Sequence, residues 1–342
     1  MSTQKDLEFS EIIYEKKDWV AGITINRPQV LNAYSTKTLR ELTRAFQDAS
    51  FDDSVAVIVF SGVGKDAFCT GGDVKEYASI YLRKPRDYWK YMGIFKGYIE
   101  SIINSGKPVI ARLNGMTVGG GNESQLACDL AVMAEHAFIS QVGTNVGSVA
   151  CGGSTQWLSL FVGDRRAREI LFLNERIYAF KALEWGLVNK VVPSVKKDGE
   201  FVGRATQDEI TKAKKGEGGY EIDLSLLDKA VDELSQKLIE KFPECTRYTK
   251  QQVNFFKDFA WHQTIGHARD WLSIHFTSLE PNEGMSAFVE KRRADYLGIR
   301  KKAAEGKSSE FLWGSYKNIC KKCGAKGIPE DFEFCGVCGE KL

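Results

Sequence analysis

The chain has 342 residues, 43% of them hydrophobic and 27% charged, and a formal net charge of +2. This is ample apolar material for a sizeable core, in one large domain or two smaller ones. The charge balance argues against a bulk nucleic-acid binder. No stretch approaches the ~20 apolar residues that a membrane span needs, and the charged start, MSTQKDLEFSEIIYEKK, lacks an apolar signal core. A soluble, cytoplasmic protein with no membrane contact is therefore expected.

The segment 11–27, EIIYEKKDWVAGITINR, alternates apolar residues around a charged turn and predicts a strand hairpin. Residues 35–50 place Leu39, Leu42 and Phe46 at helical spacing behind Ser35, a residue suited to cap a helix. A buried-type strand follows at Val55 to Phe60, then a glycine-rich loop. The pattern repeats: Lys107 to Leu113 reads as a strand, a run of glycines follows, Glu123 to Cys128 reads as a helix and Asp129 to Ala134 as another strand. Strands alternating with helices predict an α/β fold with parallel strands over residues 1–193. Residues 194–220 are polar and glycine-rich and are expected to form an insertion or long loop. Helical periodicity returns over 221–300, residues 301–318 read as a linker, and 319–342 form a separate cysteine module.

Four of the eight cysteines, Cys69, Cys128, Cys151 and Cys245, are scattered through the body. The other four, Cys320, Cys323, Cys335 and Cys338, form two C-x-x-C-G pairs. In a cytosolic chain that spacing points to metal ligands rather than disulfides. Four thiolates suit structural Zn2+, because no coordination position stays open for catalysis. Iron in a rubredoxin-like site and a redox dithiol are the rivals. So short a unit cannot bury enough core to fold alone, so the metal would hold this zinc ribbon together. Its four lysines and four acidic residues make a poor phosphate footprint, which favours a protein partner or a neighbouring subunit as its contact.

Two loops carry the chemistry. AFCTGGDVKE puts Gly71 and Gly72 between a strand and a predicted helix, and GMTVGGGNESQLACD does the same with Gly119, Gly120 and Gly121. Glycines there free backbone N–H groups to face a ligand, and a helix start favours negative charge. Taken singly, each loop is equally well read as a tight turn.

The pair and its flanks resemble the crotonase (enoyl-CoA hydratase/isomerase) superfamily. The matching pieces stand in the family's order: INRPQVLNAYS (24–35), FSGVGKDAFCTGGDVKEY (60–77), KPVIARLNGMTVGGGNESQLACDLAV (107–132), 152–193 and EGMSAFVEKRRADYLG (283–298). The resemblance implies a spiral of ββα units with a C-terminal helical region that builds homotrimers or homohexamers. It implies an oxyanion hole made by the N–H groups of Gly72 and Gly120, with Glu123 handling protons. Coenzyme A, as part of the substrate, would lie against Leu31, Ala33, Thr70, Gly71, Asp73, Val74, Ser148 and Lys291.

Hydratases of this family carry a second glutamate, and it aligns here with Gly143. The surrounding Gln141-Val142-Gly143-x-x-Val146-Gly147-Ser148 resembles the loop of crotonases that make or break a ring carbon–carbon bond. Those enzymes keep an aspartate just after the Gly-Ser pair, where this chain has Ala150 and Cys151. The subgroup that fits best is the 6-oxocyclohex-1-ene-1-carbonyl-CoA hydrolases of anaerobic aromatic degradation, which hydrate a ring double bond and then open the ring. A hydratase or isomerase on a related acyl-CoA is the alternative, and a catalytically weak scaffold acting through the ribbon is another. Cys151 has no visible base beside it and reads as core or pocket lining. The four histidines form no motif. The aromatic run Tyr88, Trp89, Tyr91 and Phe95 reads as core or acyl-pocket wall.

Overall fold

The computed structural model describes residues 8–342. The strands β1 (Ile12–Lys17) and β2 (Val20–Ile25) pair antiparallel. Asp18 and Trp19 both take positive φ between them, the turn whose twist matches that of the strands. Ser35 caps α1 (Thr36–Phe51) by accepting from Thr38 N–H, and α1 buries Leu39, Leu42, Ala45, Phe46 and Ala49, four of them at the i, i+3, i+4 spacings of one helix face.

Three strand pairs follow: β3 (Val57–Gly62) with β4 (Ala67–Cys69), β5 (Val109–Leu113) with β6 (Met116–Val118), and β7 (Leu130–Ala134) with β8 (Phe138–Ser140). The first strand of each pair joins one sheet, ordered β1-β2-β3-β5-β7-β10, where β10 is Lys190–Val192. The second joins another, ordered β4-β6-β8-β9, where β9 is Ile177–Tyr178. From β2 to β10 the first sheet is parallel, with Ile23 beside Phe60, Phe60 beside Ala111 and Ala111 beside Ala131. All of these side chains are buried, as expected where a parallel sheet is covered on both faces.

Helices fill the gaps in the chain. They are α2 (Val74–Glu76), α3 (Pro85–Ile103), α4 (Gly120–Ala127), α5 (Gly143–Val146), α6 (Ser154–Val162), α7 (Asp164–Leu173) and α8 (Ala179–Glu184). Two strands followed by a helix, repeated, give the crotonase-type spiral expected from the sequence.

The segment 194–220 is not a loop. It folds as β11 (Val195–Lys197), β12 (Glu200–Phe201), α9 (Gln207–Lys215) and β13 (Tyr220–Ile222), a three-stranded sheet closed by a helix over Val195, Ile210, Ala213 and Ile222. The buried Glu135 carboxylate secures it by accepting N–H bonds from Ser194 at 2.9 Å, Val195 at 3.1 Å and Ala205 at 3.2 Å. His136 beside it is held down to about 4, by burial first, and is neutral. Its Nδ1 meets Ser194 Oγ at 2.7 Å and its Nε2 meets Lys65 O at 2.9 Å, so both ring nitrogens serve the packing.

The C-terminal helices are α10 (Ser225–Ile239), α11 (Pro243–Val253), α12 (Phe255–His275), α13 (Leu279–Val289) and α14 (Tyr296–Ala304). The expected linker thus begins as the end of a helix. Two short strands, β14 (Asn318–Ile319) and β15 (Lys326–Ile328), frame the cysteine module. The chain divides into two compact units. One takes residues up to Asp73, Lys90–Thr144 and Ala150–Arg269, and the other takes Val74–Trp89, Asn145–Val149 and Asp270–Leu342.

Candidate active site and cysteine cluster

In the first unit, the β4 strand ends at Cys69 and the chain turns through Gly71 at φ +89°, a conformation that favours glycine. Tyr34 N–H donates to Gly71 O at 2.9 Å and Asp73 N–H donates to Tyr34 O at 3.0 Å, forming one parallel bridge between Tyr34 and Gly72. The flanking groups make both bonds, so the N–H of Gly72 itself is turned away from Tyr34. A Cβ on Gly71 would stand 2.9 Å from Gly120 N, which places the two glycine turns against each other.

Gly120 opens α4, so its N–H has no partner within the helix. The helix start lies under the Tyr34 ring: a Cβ on Gly120 would overlap the Tyr34 hydroxyl and sit 2.7 Å from Cζ. At the other end of α4, Lys257 Nζ donates to Leu126 O at 2.7 Å, a cation where the helix dipole is negative.

Glu123 lies one turn into α4 and is 6% exposed. Its Oε1 accepts from Gly152 N–H at 2.6 Å, and the nearby Ser154 N–H also favours the charged carboxylate. Burial outweighs these two donors and pushes the carboxyl up to about 7. It is thus a buried group that can exchange a proton near neutral pH, not a solvated helix glutamate. Phe95 packs where a Cβ on Gly152 would fall and stacks on Tyr34 at 5.8 Å between centroids. Of the aromatic run expected as core or acyl-pocket wall, Tyr88, Tyr91 and Phe95 are buried, and Tyr88, in the second unit, stacks on Phe276. Cys151 is buried, and burial first and then the nearby Glu123 push its thiol well above the usual range, so it is no nucleophile.

The residues expected along coenzyme A fall into two groups. Leu31 (φ +54°), Ala33, Thr70, Gly71 and Asp73 belong to the first unit. Thr70 Oγ1 donates to Leu31 O at 3.1 Å, and Asp73 pairs with Arg27 at 3.2 Å, which ties the two loops together. Val74, Ser148 and Lys291 belong to the second unit, where Lys291 follows α13 with φ +55°. Gly143 opens α5 and offers no side chain. Two residues of this neighbourhood were not singled out for a role by the sequence. Tyr34 was hidden in the LNAYS run, and Gln141 stood only as a letter in a motif.

In the second unit, the sulfurs of Cys320, Cys323, Cys335 and Cys338 all lie within 4.8 Å of one another. Cys320 Sγ and Cys338 Sγ are 3.6 Å apart, and Cys323 Sγ and Cys335 Sγ 3.7 Å. A tetrahedral ion with ~2.3 Å bonds to sulfur needs edges of ~3.8 Å. The two knuckles match: Gly324 N–H bonds Cys320 O and Gly339 N–H bonds Cys335 O, both at 2.9 Å, with φ of +73° and +74° at the glycines. Backbone N–H groups, that of Cys323 foremost, draw the Cys320 thiol down, while the neighbouring cysteines push the Cys338 thiol up, so the thiols share their protons as one cluster. The module's own buried cluster is only Cys320, Ile328 and Cys335, with Ala325 against it. The residues fit a structural metal.

The comparisons with known proteins agree with this geometry. Residues 15–213 match the Enoyl-CoA hydratase/isomerase family. The 6-oxocyclohex-1-ene-1-carbonyl-CoA hydrolase of Geobacter metallireducens is 37% identical over 84% of this chain and 81% of its own length. That of Thauera aromatica is 36% identical over 83% and 82%. Among solved structures, an enoyl-CoA hydratase from Mycobacterium avium subsp. paratuberculosis superposes with a TM-score of 0.68 at 23% identity, covering 84% of this chain and 99% of that one. One from Bacillus anthracis gives 0.60 at 26% identity over 84% and 100%. Spiral fold, paired glycine turns and matching relatives lead to one conclusion: this chain belongs to the enoyl-CoA hydratase/isomerase, or crotonase, family of acyl-CoA enzymes.

Proposed function

We propose that the protein hydrates and then hydrolytically opens a cyclic 6-oxo-enoyl-CoA, 6-oxocyclohex-1-ene-1-carbonyl-CoA or a close analogue. The observation that carries this reading is the buried carboxyl of Glu123, set near neutral pKa at the start of α4, with Gly143 where a hydratase has its second acid. The names of the similar hydrolases supply the substrate class.

The N–H groups of Gly72 and Gly120 hold the thioester oxygen. Glu123 takes a proton from water as that water adds to the ring double bond. The resulting thioester enolate is stabilised by the two N–H groups until its α-carbon is protonated. A second water then adds to the ring ketone. The bond between the ketone carbon and the α-carbon breaks, its electron pair goes to the α-carbon as a ring-opened enolate of the same thioester, which is then protonated there, and the ketone carbon becomes a carboxylate. One oxyanion hole serves both steps. Leu31, Ala33, Thr70, Gly71, Asp73, Val74, Ser148 and Lys291 are the proposed coenzyme A contacts.

Mass spectrometry of the product tests the reading. The expected product carries two added waters and a new carboxylate distal to the thioester. An accumulating one-water adduct with the ring intact would transfer the chain to the hydratases.

We assign Zn2+ to the four terminal cysteines in a structural role, with a protein contact for the ribbon. The assembly is a homotrimer or homohexamer in the cytoplasm. Among the described residues no helix is long and apolar enough to cross a membrane. Purified protein is expected to hold about one zinc per chain. Truncation after residue 310 should remove the metal and leave turnover in place. Metal analysis that returned iron, or no metal from a reduced sample, would overturn the assignment.

A further inference from the structure

Gln141 is 1% exposed and follows β8 directly. Its Nε2 donates to Gly119 O at 3.3 Å and to Ser154 Oγ at 2.6 Å. Both amide protons are thereby used. The amide cannot be turned over, because Oε1 would then face Gly119 O, acceptor against acceptor. Oε1 itself is buried and, among the described residues, has no hydrogen-bond partner. A buried acceptor left unpaired is costly, and a side chain chosen only to fill space would not carry one.

The two groups that Gln141 holds are those that set the site. Gly119 O belongs to the same planar peptide as Gly120 N–H, so fixing the oxygen fixes the direction of that N–H. The same oxygen accepts Glu123 N–H at 3.1 Å, which joins it to the first turn of α4. Ser154, the first residue of α6, is fully buried and stands two residues beyond Gly152, whose N–H donates to the Glu123 carboxylate at 2.6 Å.

We propose that Gln141 is a positioning residue that locks the Gly119–Gly120 peptide and the Gly152–Ser154 turn, whose Gly152 N–H anchors Glu123, into one frame. The inference rests on the roles given above to Gly120 and Glu123. Gln141 does not touch substrate; it acts through those two groups.

The test is Gln141→Leu, which keeps the bulk and removes both donors. The kcat should fall by about ten- to a hundredfold with KM little changed, since the loss is confined to the transition state. A loosened Gly152–Ser154 turn stabilises the Glu123 carboxylate less, so the limb of the kcat/KM pH profile that Glu123 governs should move to higher pH. The third readout uses cyclohexanecarbonyl-CoA, which has neither the double bond nor the ketone. Its thioester carbonyl band, lowered on binding to the wild-type site, should return towards its solution frequency in the variant. Merely structural loosening would move none of these in a protein that melts normally.

If Gln141→Leu does not fold, Ser154→Ala decides, because it keeps the backbone N–H but releases the Gln141 tie. The pH limb should shift in the same direction with a smaller fall in kcat. Unchanged kcat, limb and carbonyl band in a folded variant would overturn the inference. Glu123→Gln, assayed alongside, separates the two failures. A dead Glu123→Gln with a normal Gln141→Leu sinks this inference alone, whereas an active Glu123→Gln sinks the site reading beneath it.

Discussion

Glu123→Gln is expected to lower turnover at least ~100-fold while acyl-CoA affinity survives. The amide keeps the shape of the side chain and can still accept Gly152 N–H, so the contacts that place it persist. What it loses is the proton. Removing a positioned acid or base costs ~100- to 10,000-fold, and on the proposed reading, with Gly143 at the family's other acid position, no second carboxylate stands there to replace it. The pH profile carries the same signature. A carboxyl pushed up to about 7 is protonated below that value, so kcat/KM for hydration should rise with pH through about 7 and then level off. Stability should move the other way. The folded pKa of about 7 exceeds the reference value of 4.5, so between them the native state binds the extra proton. The contribution from this group is complete below 4.5 and is lost as pH rises through about 7. In Glu123→Gln both the activity limb and that loss of stability should disappear. A variant with near-normal turnover, or with the limb intact, would remove Glu123 from the chemistry.

How much of this was legible depends on whether the partner of each residue lies nearby in the chain. The helix at Thr36–Phe51 could be read because its cap, Ser35, and its apolar face are local. The hairpin and the parallel strands announced themselves by alternation and by apolar runs. The folded insertion did not. Its strands are two or three residues long, and the carboxylate that gathers their N–H groups, Glu135, comes 59 to 70 residues earlier in the chain. No window around residue 200 contains that information.

The same contrast holds within the site. The glycine pairs and Glu123 stand out in the sequence because spacing along one helix turn is a local matter. The burial that tunes Glu123 depends on Gly152 and Phe95, 29 and 28 residues away on opposite sides of it. Gln141 was invisible as a brace, since both of its partners lie outside its own turn, 22 and 13 residues off. The cysteine cluster was fully legible, because four thiols within one short module can meet in few ways.

Gly120→Ala should cost turnover ~100- to 1000-fold, the range for loss of one oxyanion-hole donor. The added methyl would overlap the Tyr34 hydroxyl and press on Cζ at 2.7 Å and Cε1 at 3.0 Å. Tyr34 has little freedom to retreat. It is 2% exposed, stacked on Phe95, and tied through its own N–H and C=O to Gly71 and Asp73. The start of α4 must therefore shift, and the Gly120 N–H shifts with it. That also explains why removing the phenol oxygen helps only in part. With Tyr34→Phe added, the overlap with the hydroxyl is gone but the contacts with Cζ and Cε1 remain, so the double variant should recover some of the lost kcat and not all of it. Gly97→Ala is the control: a Cβ there meets nothing within 4 Å on a helical backbone, and turnover should match the wild type. A Gly120→Ala protein that folds and turns over normally would show that the N–H of residue 120 does not hold the reacting oxygen.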